Sequence, residues 1–179
     1  MLERQQSALV LIDIQSKLAG LMGERETLYR QLQILIKGAQ ILHLPILWLE
    51  QYPKGLGPTV PEVAELLPDQ QPLAKTCFSA CGLDAFQTHL RQCGRRQILV
   101  AGIESHICVY QTARDLLTQG YHVEVVADAV SSRTAENKKL GLEKMRRAGA
   151  EITGVEMCLF ELLRKAGTAE FKEIATLVK

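Results

Sequence analysis

The sequence has no apolar run approaching the ~20 residues that a membrane-spanning helix needs. It has no surplus of charge either. Its 21 Lys and Arg against 20 Asp and Glu leave a formal net charge of +1. Nothing in that balance attracts a polyanion, so nucleic acid is not an expected partner. Met1-Leu2-Glu3-Arg4-Gln5-Gln6 is polar, and the Ser7–Ile14 run that follows is short and contains Asp13. Neither resembles a secretion signal, so the expectation is a soluble cytoplasmic protein with no membrane partner. No CxxC pair occurs among the five cysteines, Cys77, Cys81, Cys93, Cys108 and Cys158. Zinc ribbons and thioredoxin-type motifs are thereby excluded, and an odd cysteine count fits reduced thiols. GxSxG is absent, which removes a serine nucleophile elbow. His43, His89, His106 and His122 show neither HxxxH nor HxH spacing, so no metal is expected. Gly55-Leu56-Gly57-Pro58 is the nearest approach to a phosphate loop, but it follows no strand directly and runs into Pro58. No repeat or low-complexity tract is present.

What is there is an ordinary globular composition, 47% hydrophobic and 23% charged over 179 residues. That length predicts one domain over residues 1–179. Ser7–Ile12 is apolar without alternation, as a strand buried on both faces reads. Helical spacing follows across Leu28–Leu42, then a second strand at Ile46–Leu49. Gln51–Pro72 holds five of the six prolines and reads as a long loop with a helical turn around Val60–Leu67. Long loops in compact domains usually serve function. Leu83, Phe86 and Leu90 mark a helix ending at Gly94. Gln97–Ala101 is a third strand, closed by Gly102, and a helix runs from about His106 to Gln119. Tyr121–Ala127, Ala135–Ala148, Glu151–Thr153 and Glu156–Leu163 alternate strand and helix again. Phe171, Ile174, Ala175 and Val178 space a last helix, with Thr168 as its N-cap.

Strands alternating with helices predict βαβ units, a mostly parallel sheet and helices on both faces. In such sheets ligands bind beyond the carboxyl ends of the strands. The polar residues at those ends are Asp13, Glu50, Gln51, Glu104, Ser105, His106, Cys108 and Asp128. Three residue types there make one chemistry. Asp13 ends an apolar strand, where a charge is costly without a partner. It is equally readable as a strand-end cap or as a general base. Cys108 falls on the first helical turn after the third strand, where a helix N-terminus lowers a thiol pKa and offers N–H groups to an oxyanion. Its plainer reading is a small buried hydrophobe. Lys75 is a lone cation in Leu73–Ala80, and taken alone it reads as a surface lysine. A thiol nucleophile needs a base and a favourable cation, which Asp13 and Lys75 supply. Lys75 and the helix N-terminus oppose the Asp13 charge at the thiol. The expectation is therefore a lowered Cys108 pKa, or an Asp–Cys pair sharing one proton.

Asp13-Ile14-Gln15, Lys75-Thr76-Cys77-Phe78-Ser79-Ala80 and Gly102-Ile103-Glu104-Ser105-His106-Ile107-Cys108-Val109, followed by Thr112-Ala113, stand in this order along nearly the whole chain. In these residues the sequence resembles the isochorismatase-like cysteine hydrolases, the superfamily of nicotinamidase and N-carbamoylsarcosine amidase. Asp128-Ala129 also fits. Glu50-Gln51-Tyr52-Pro53, Gly55–Thr59, Ser131-Ser132-Arg133 and Phe171-Lys172-Glu173-Ile174 are similar to the isochorismatase-domain-containing subgroup.

The resemblance implies a three-layer α/β/α sandwich around a mostly parallel, roughly six-stranded, Rossmann-like sheet. It implies an Asp13, Lys75, Cys108 triad that hydrolyses the C–N bond of a small amide or ureido substrate through a thioester. It further implies a cis peptide between Ile103 and Glu104, with the N–H groups of Glu104 and Cys108 forming an oxyanion hole. Gln15, Gln51, Tyr52, Phe78 and His106 become the candidate pocket residues. The family also suggests a homo-oligomer, with the proline-rich loop near Trp48 and Tyr52 and the C-terminal helix as the interface. Three departures narrow the reading. The Glu50–Thr59 loop carries no histidine, unlike the metal-binding loop of nicotinamidases, so neither metal nor other cofactor is expected. The presence of Cys108 argues against a vinyl-ether hydrolase. Leu18 stands where the family has an aromatic residue, so the pocket wall differs. A catalytically silent binding protein, or a redox-sensing thiol, is the alternative on the same scaffold.

Overall fold

The computed structural model describes every residue, Met1–Lys179. Six strands form one sheet: β1 (Ser7–Ile12), β2 (Ile46–Gln51), β3 (Leu73–Lys75), β4 (Gln97–Ile103), β5 (His122–Ser131) and β6 (Glu151–Thr153). Their spatial order is β3-β2-β1-β4-β5-β6, and all five pairings are parallel. The helices are α1 (Ser16–Ala19), α2 (Arg25–Ile41), α3 (Pro53–Leu56), α4 (Pro61–Ala64), α5 (Asp84–Cys93), α6 (Tyr110–Thr118), α7 (Ala135–Arg147), α8 (Val155–Leu163) and α9 (Ala169–Leu177).

Period-two alternation divides the sheet's side chains between two cores. Leu9 and Leu11 of β1 point to one face, where they pack with α2, α8 and α9 through Leu32, Leu35, Leu159 and Ile174. Ala8, Val10 and Ile12 point to the other, against Phe86 and Leu90 of α5, Ala113 and Leu116 of α6 and Met145 of α7. Every β1 residue is buried, as expected of a central strand covered by helices on both sides. No helix is long and apolar enough to cross a membrane.

The chain leaves β1 toward β2 and β3, then returns to β4 on the other side of β1. Strand order therefore reverses between β1 and β4, and the crevice of an open α/β sheet lies at such a switch point. Gly102 permits this close pairing. Its φ is +119°, and a Cβ there would lie 2.1 Å from the Ile12 carbonyl oxygen.

Several boundaries depart from the sequence reading. β3 follows directly on the loop expected over Gln51–Pro72, in a stretch for which the sequence predicts no element. Three residues at a sheet edge are too few to show periodicity, but they pair in register with Leu49, Glu50 and Gln51. β4 runs past Gly102 to Ile103, and β5 continues through Ala127 to Ser131. The long helix expected from His106 opens instead as a π-helical turn, Ser105–Val109, before α6. Trp48 is only 7% exposed, and its indole N–H donates to Thr59 Oγ1 at 2.9 Å. It is thus a core residue and not part of an exposed interface. Thr168 caps α9 as expected, accepting the Phe171 N–H at 3.1 Å.

Candidate active site

β1 delivers Asp13 one residue past its last ladder position. Asp13 has φ +54°, a left-handed conformation that few side chains tolerate and Asp tolerates better than most. Its side chain is fully buried. β3 lies two strands away, with Lys75 paired to Gln51 of β2. The Lys75 side chain passes Gln51 and places Nζ 2.7 Å from Asp13 Oδ2, with both side chains 0% exposed. The ammonium also donates to Gln51 Oε1 at 2.6 Å and to the Phe78 and Cys77 carbonyls at 3.1 and 3.3 Å. An ammonium has three N–H donors, so four acceptors saturate it.

Asp13 Oδ1 is buried and has no hydrogen-bond partner. The Cys108 thiol also acts on this carboxyl, lowering its pKa, and the Glu50 charge raises it. Cys108 sits in the π-helical turn after β4, 6% exposed. α7 approaches that turn closely at Gly141, where a Cβ would lie 2.6 Å from the Ser105 carbonyl oxygen. Asp13, Lys75 and Cys108 therefore meet at the β1/β4 switch point.

Burial raises the Asp13 pKa above the ordinary carboxylate range, and Lys75 only partly opposes it. Burial and then the Asp13 charge push the Cys108 thiol up to about 12, against a smaller lowering by Lys75. The lowered thiol pKa expected from sequence is thus overturned. Weighing one cation and a helix end against one carboxylate left out desolvation, which outweighs them here. Of the two expectations, the Asp–Cys pair sharing one proton is the one compatible with both groups being raised.

The Ile103–Glu104 peptide is cis. The Glu104 N–H donates to no backbone or side-chain acceptor. The Glu104 carboxylate is buried and turns away to Arg133, accepting from its N–H at 3.1 Å and its Nε at 3.0 Å. Arg133 had no assigned role in the sequence reading. Its signal was its place in Ser131-Ser132-Arg133, one of the segments that carry the subgroup resemblance.

The expected pocket residues divide. Gln15 is 0% exposed, and its amide is spent on backbone. Its Oε1 accepts the Gln51 N–H at 2.7 Å, while Nε2 donates to the Gln51 and Gly57 carbonyls at 2.9 and 2.7 Å. Gln15 therefore holds the loop and does not line a pocket. Gln51 is half-buried, and its side-chain amide is engaged by Lys75 and the Thr76 carbonyl. Tyr52 donates its backbone N–H to the Lys75 carbonyl at 2.8 Å and Phe78 follows Lys75 by three residues, and both are exposed, at 55% and 54%. His106 is half-buried, with Nδ1 3.0 Å from Ser132 Oγ. Glu50 accepts from the N–H and hydroxyl of Thr59 at 2.6 and 2.7 Å, which anchors the proline-rich loop. Ser105 Oγ donates to the Ser131 carbonyl at 2.9 Å. Asp128, expected at the crevice, lies inside β5 and caps α8 by accepting the Val155 N–H at 2.9 Å.

The one group of three side chains able to hold a metal ion is His122, Glu124 and Glu151, with ligand atoms within 4.8 Å of one another. It stands at the amino ends of β5 and β6, away from Cys108. A surface hollow of about 380 Å³ lined by Arg91, Arg95 and Tyr121 also lies at that edge. Residue chemistry, not hollow size, distinguishes the β1/β4 crevice.

Comparison with known proteins agrees with this arrangement. The isochorismatase domain model matches residues 7–157. The mouse isochorismatase domain-containing protein 2A is 39% identical over 178 residues, covering 98% of this chain and 84% of its own. The solved structure of MAR1 ribonuclease from Caenorhabditis elegans is 36% identical with a TM-score of 0.92, over 99% of this chain and 91% of that one. The Escherichia coli YcaC gene product, described as an octameric hydrolase of unknown specificity, shares the fold at 24% identity and TM-score 0.92, over 98% and 89% of the two chains. A family match across most of the chain, with full-length relatives of the same subgroup, places this protein in the isochorismatase family, with an isochorismatase-like hydrolase fold.

Proposed function

We propose that this protein is a metal-independent cysteine hydrolase of a small amide or ureido compound. The observation that carries the reading is the buried Asp13 carboxyl, held on Oδ2 by Lys75 at 2.7 Å, without a partner on Oδ1, and close enough to the Cys108 thiol for the two groups to act on each other. A carboxylate with a raised pKa is a stronger base than an ordinary one. As Cys108 Sγ attacks the substrate carbonyl carbon, Asp13 takes the thiol proton. The Glu104 and Cys108 N–H groups receive the oxyanion. Asp13 then protonates the departing nitrogen and leaves a thioester on Cys108. Asp13 next removes a proton from water, which attacks the thioester. The acid departs, and the proton returns to sulfur. Lys75 fixes the carboxylate throughout.

The Caenorhabditis elegans relative carries the name of a ribonuclease. A phosphodiester calls for a free cation, whereas the Lys75 ammonium is committed to Asp13, Gln51 and two carbonyls. Acyl chemistry suits the crevice better. A redox-sensing role is also less well supported, because sensor cysteines are exposed and of low pKa. The octameric E. coli neighbour and the exposed rings of Tyr52 and Phe78 support a homo-oligomer, which light scattering at micromolar concentration tests.

The deciding experiment is a panel of primary amides and ureido compounds assayed for ammonia release, with mass spectrometry of the quenched enzyme. The expected result is release that depends on Cys108 and an acyl adduct on Cys108. Release that persists in Cys108→Ala, or an adduct on another cysteine, overturns the reading.

A further inference from the structure

We propose that Gln51 is a positioning residue that holds the Lys75 ammonium against Asp13, a role resting on the triad reading above. Gln51 ends β2 between the strands that carry Asp13 and Lys75. Its two amide atoms face opposite demands. Oε1 accepts from Lys75 Nζ at 2.6 Å, and Nε2 donates to the Thr76 carbonyl at 2.7 Å. Reversing the amide would set NH₂ against an ammonium and a carbonyl against a carbonyl, so its chemistry allows one orientation.

The Gln51 backbone is itself clamped. Gln15 accepts its N–H at 2.7 Å and donates to its carbonyl at 2.9 Å. Gln15 in turn stands two residues beyond Asp13. The chain Gln15, Gln51, Lys75, Asp13 therefore closes on itself across β1, β2 and β3. Each member is fixed by another before substrate arrives, which is the preorganisation a charged pair needs to act without reorganising.

The alternatives for Lys75 are poor. Without Gln51, its acceptors would be Asp13 and the two more distant carbonyls, at 3.1 and 3.3 Å. A charge-assisted bond roughly twice as strong as a neutral one would be lost. The ammonium would then be free to swing, and Asp13 would lose its fixed counter-charge.

Two substitutions separate holding Lys75 from anchoring the loop. Gln51→Met keeps the length and loses both bonds. Gln51→Glu keeps the acceptor for Lys75 and loses the donor to Thr76. The readout is the side-chain ammonium signal of Lys75 in proton–nitrogen NMR, which is sharp only when hydrogen bonds slow its exchange. The expected result is a sharp signal in the wild type and in Gln51→Glu, and its loss in Gln51→Met. Alkylation of Cys108 by iodoacetamide should fall on the order of tenfold in Gln51→Met, the scale of one charge-assisted hydrogen bond. An unchanged Lys75 signal in Gln51→Met overturns the proposal. So does loss of the signal in both variants, which would make Gln51 a loop anchor only. Loss in Gln51→Met with unaltered Cys108 alkylation would leave Gln51 as the holder of Lys75 and count against the triad reading instead.

Discussion

Asp13 and Lys75 come from strands separated by a third, yet their charged groups meet at 2.7 Å with both side chains fully buried. Such a pair repays its desolvation only when the remaining donors and acceptors are satisfied. Lys75 meets that condition through Gln51 and two carbonyls. Asp13 does not, because Oδ1 is left without a partner. That one unmet valence is where the carboxyl can receive a proton.

Removing one partner leaves the other buried and uncompensated. Lys75→Met should therefore cost about 3–5 kcal/mol of stability, measured by denaturant unfolding. The double variant Asp13→Asn with Lys75→Met should recover much of that loss and remain inactive. A loss well under 1 kcal/mol in the single variant would mean the pair is solvated in solution.

The Gly102 position is a purely steric prediction. With φ +119° and a would-be Cβ 2.1 Å from the Ile12 carbonyl oxygen, Gly102→Ala must push β4 away from β1. The expected cost exceeds the ~1 kcal/mol of an ordinary glycine-to-alanine mismatch, and any hydrolysis should fall with it. Since Gly102 sits two residues before Glu104, the oxyanion donors would move too. An alanine variant with wild-type melting temperature would show that β1 and β4 are not paired in this register.

Much of this was legible in the sequence, and for identifiable reasons. β1 announced itself because burial on both faces removes alternation, and Asp13 stood out because a charge ends that run. Lys75 and Cys108 were legible alone only as residue types, since β3 is too short to register, and the family resemblance was what joined them with Asp13 as a triad. Gln51 was missed as a holder of Lys75 because its role depends on strand order, which no local pattern encodes. Asp128 was misplaced because β5 continues beyond its apolar stretch. The Cys108 pKa was misjudged for a third reason. Desolvation depends on how deeply the finished fold covers a group, and at this site it outweighs the nearby charges.

Burial also sets the pH dependence of stability. The thiols of Cys81, Cys108 and Cys158 are each pushed up to about 12, against an unfolded value of about 8.5. The folded state thus keeps protons that the unfolded chain releases. Their contribution is fully present below about pH 8.5 and is lost as pH rises toward 12. Unfolding free energy should fall across that window, and Cys158→Ala should make the fall shallower. A stability curve that stays flat to pH 11 would contradict the burial of these thiols.

The sharpest test of the triad sets two reactions of Cys108 against each other. Asp13 has opposite effects on them. Its charge is the largest influence after burial in raising the thiol pKa, so it suppresses the free thiolate. In turnover it is the base, so it is required. Asp13→Asn removes the charge and frees Lys75 to face sulfur. Near pH 9, iodoacetamide should then alkylate Cys108 faster than in the wild type, while amide hydrolysis is lost. Lys75→Met removes the cation that lowers the thiol, so alkylation should slow. Measuring Cys108 labelling by mass spectrometry, with Cys77 and Cys93 as internal references, checks both signs in one experiment. Slower labelling in Asp13→Asn would mean that the carboxylate activates the thiol even toward an alkylating reagent, and faster labelling in Lys75→Met would remove the cation from the site's electrostatics. Either result would reverse the assigned roles, because field and proton transfer must act in opposite directions at this sulfur if Asp13 is a base acting on a neutral thiol.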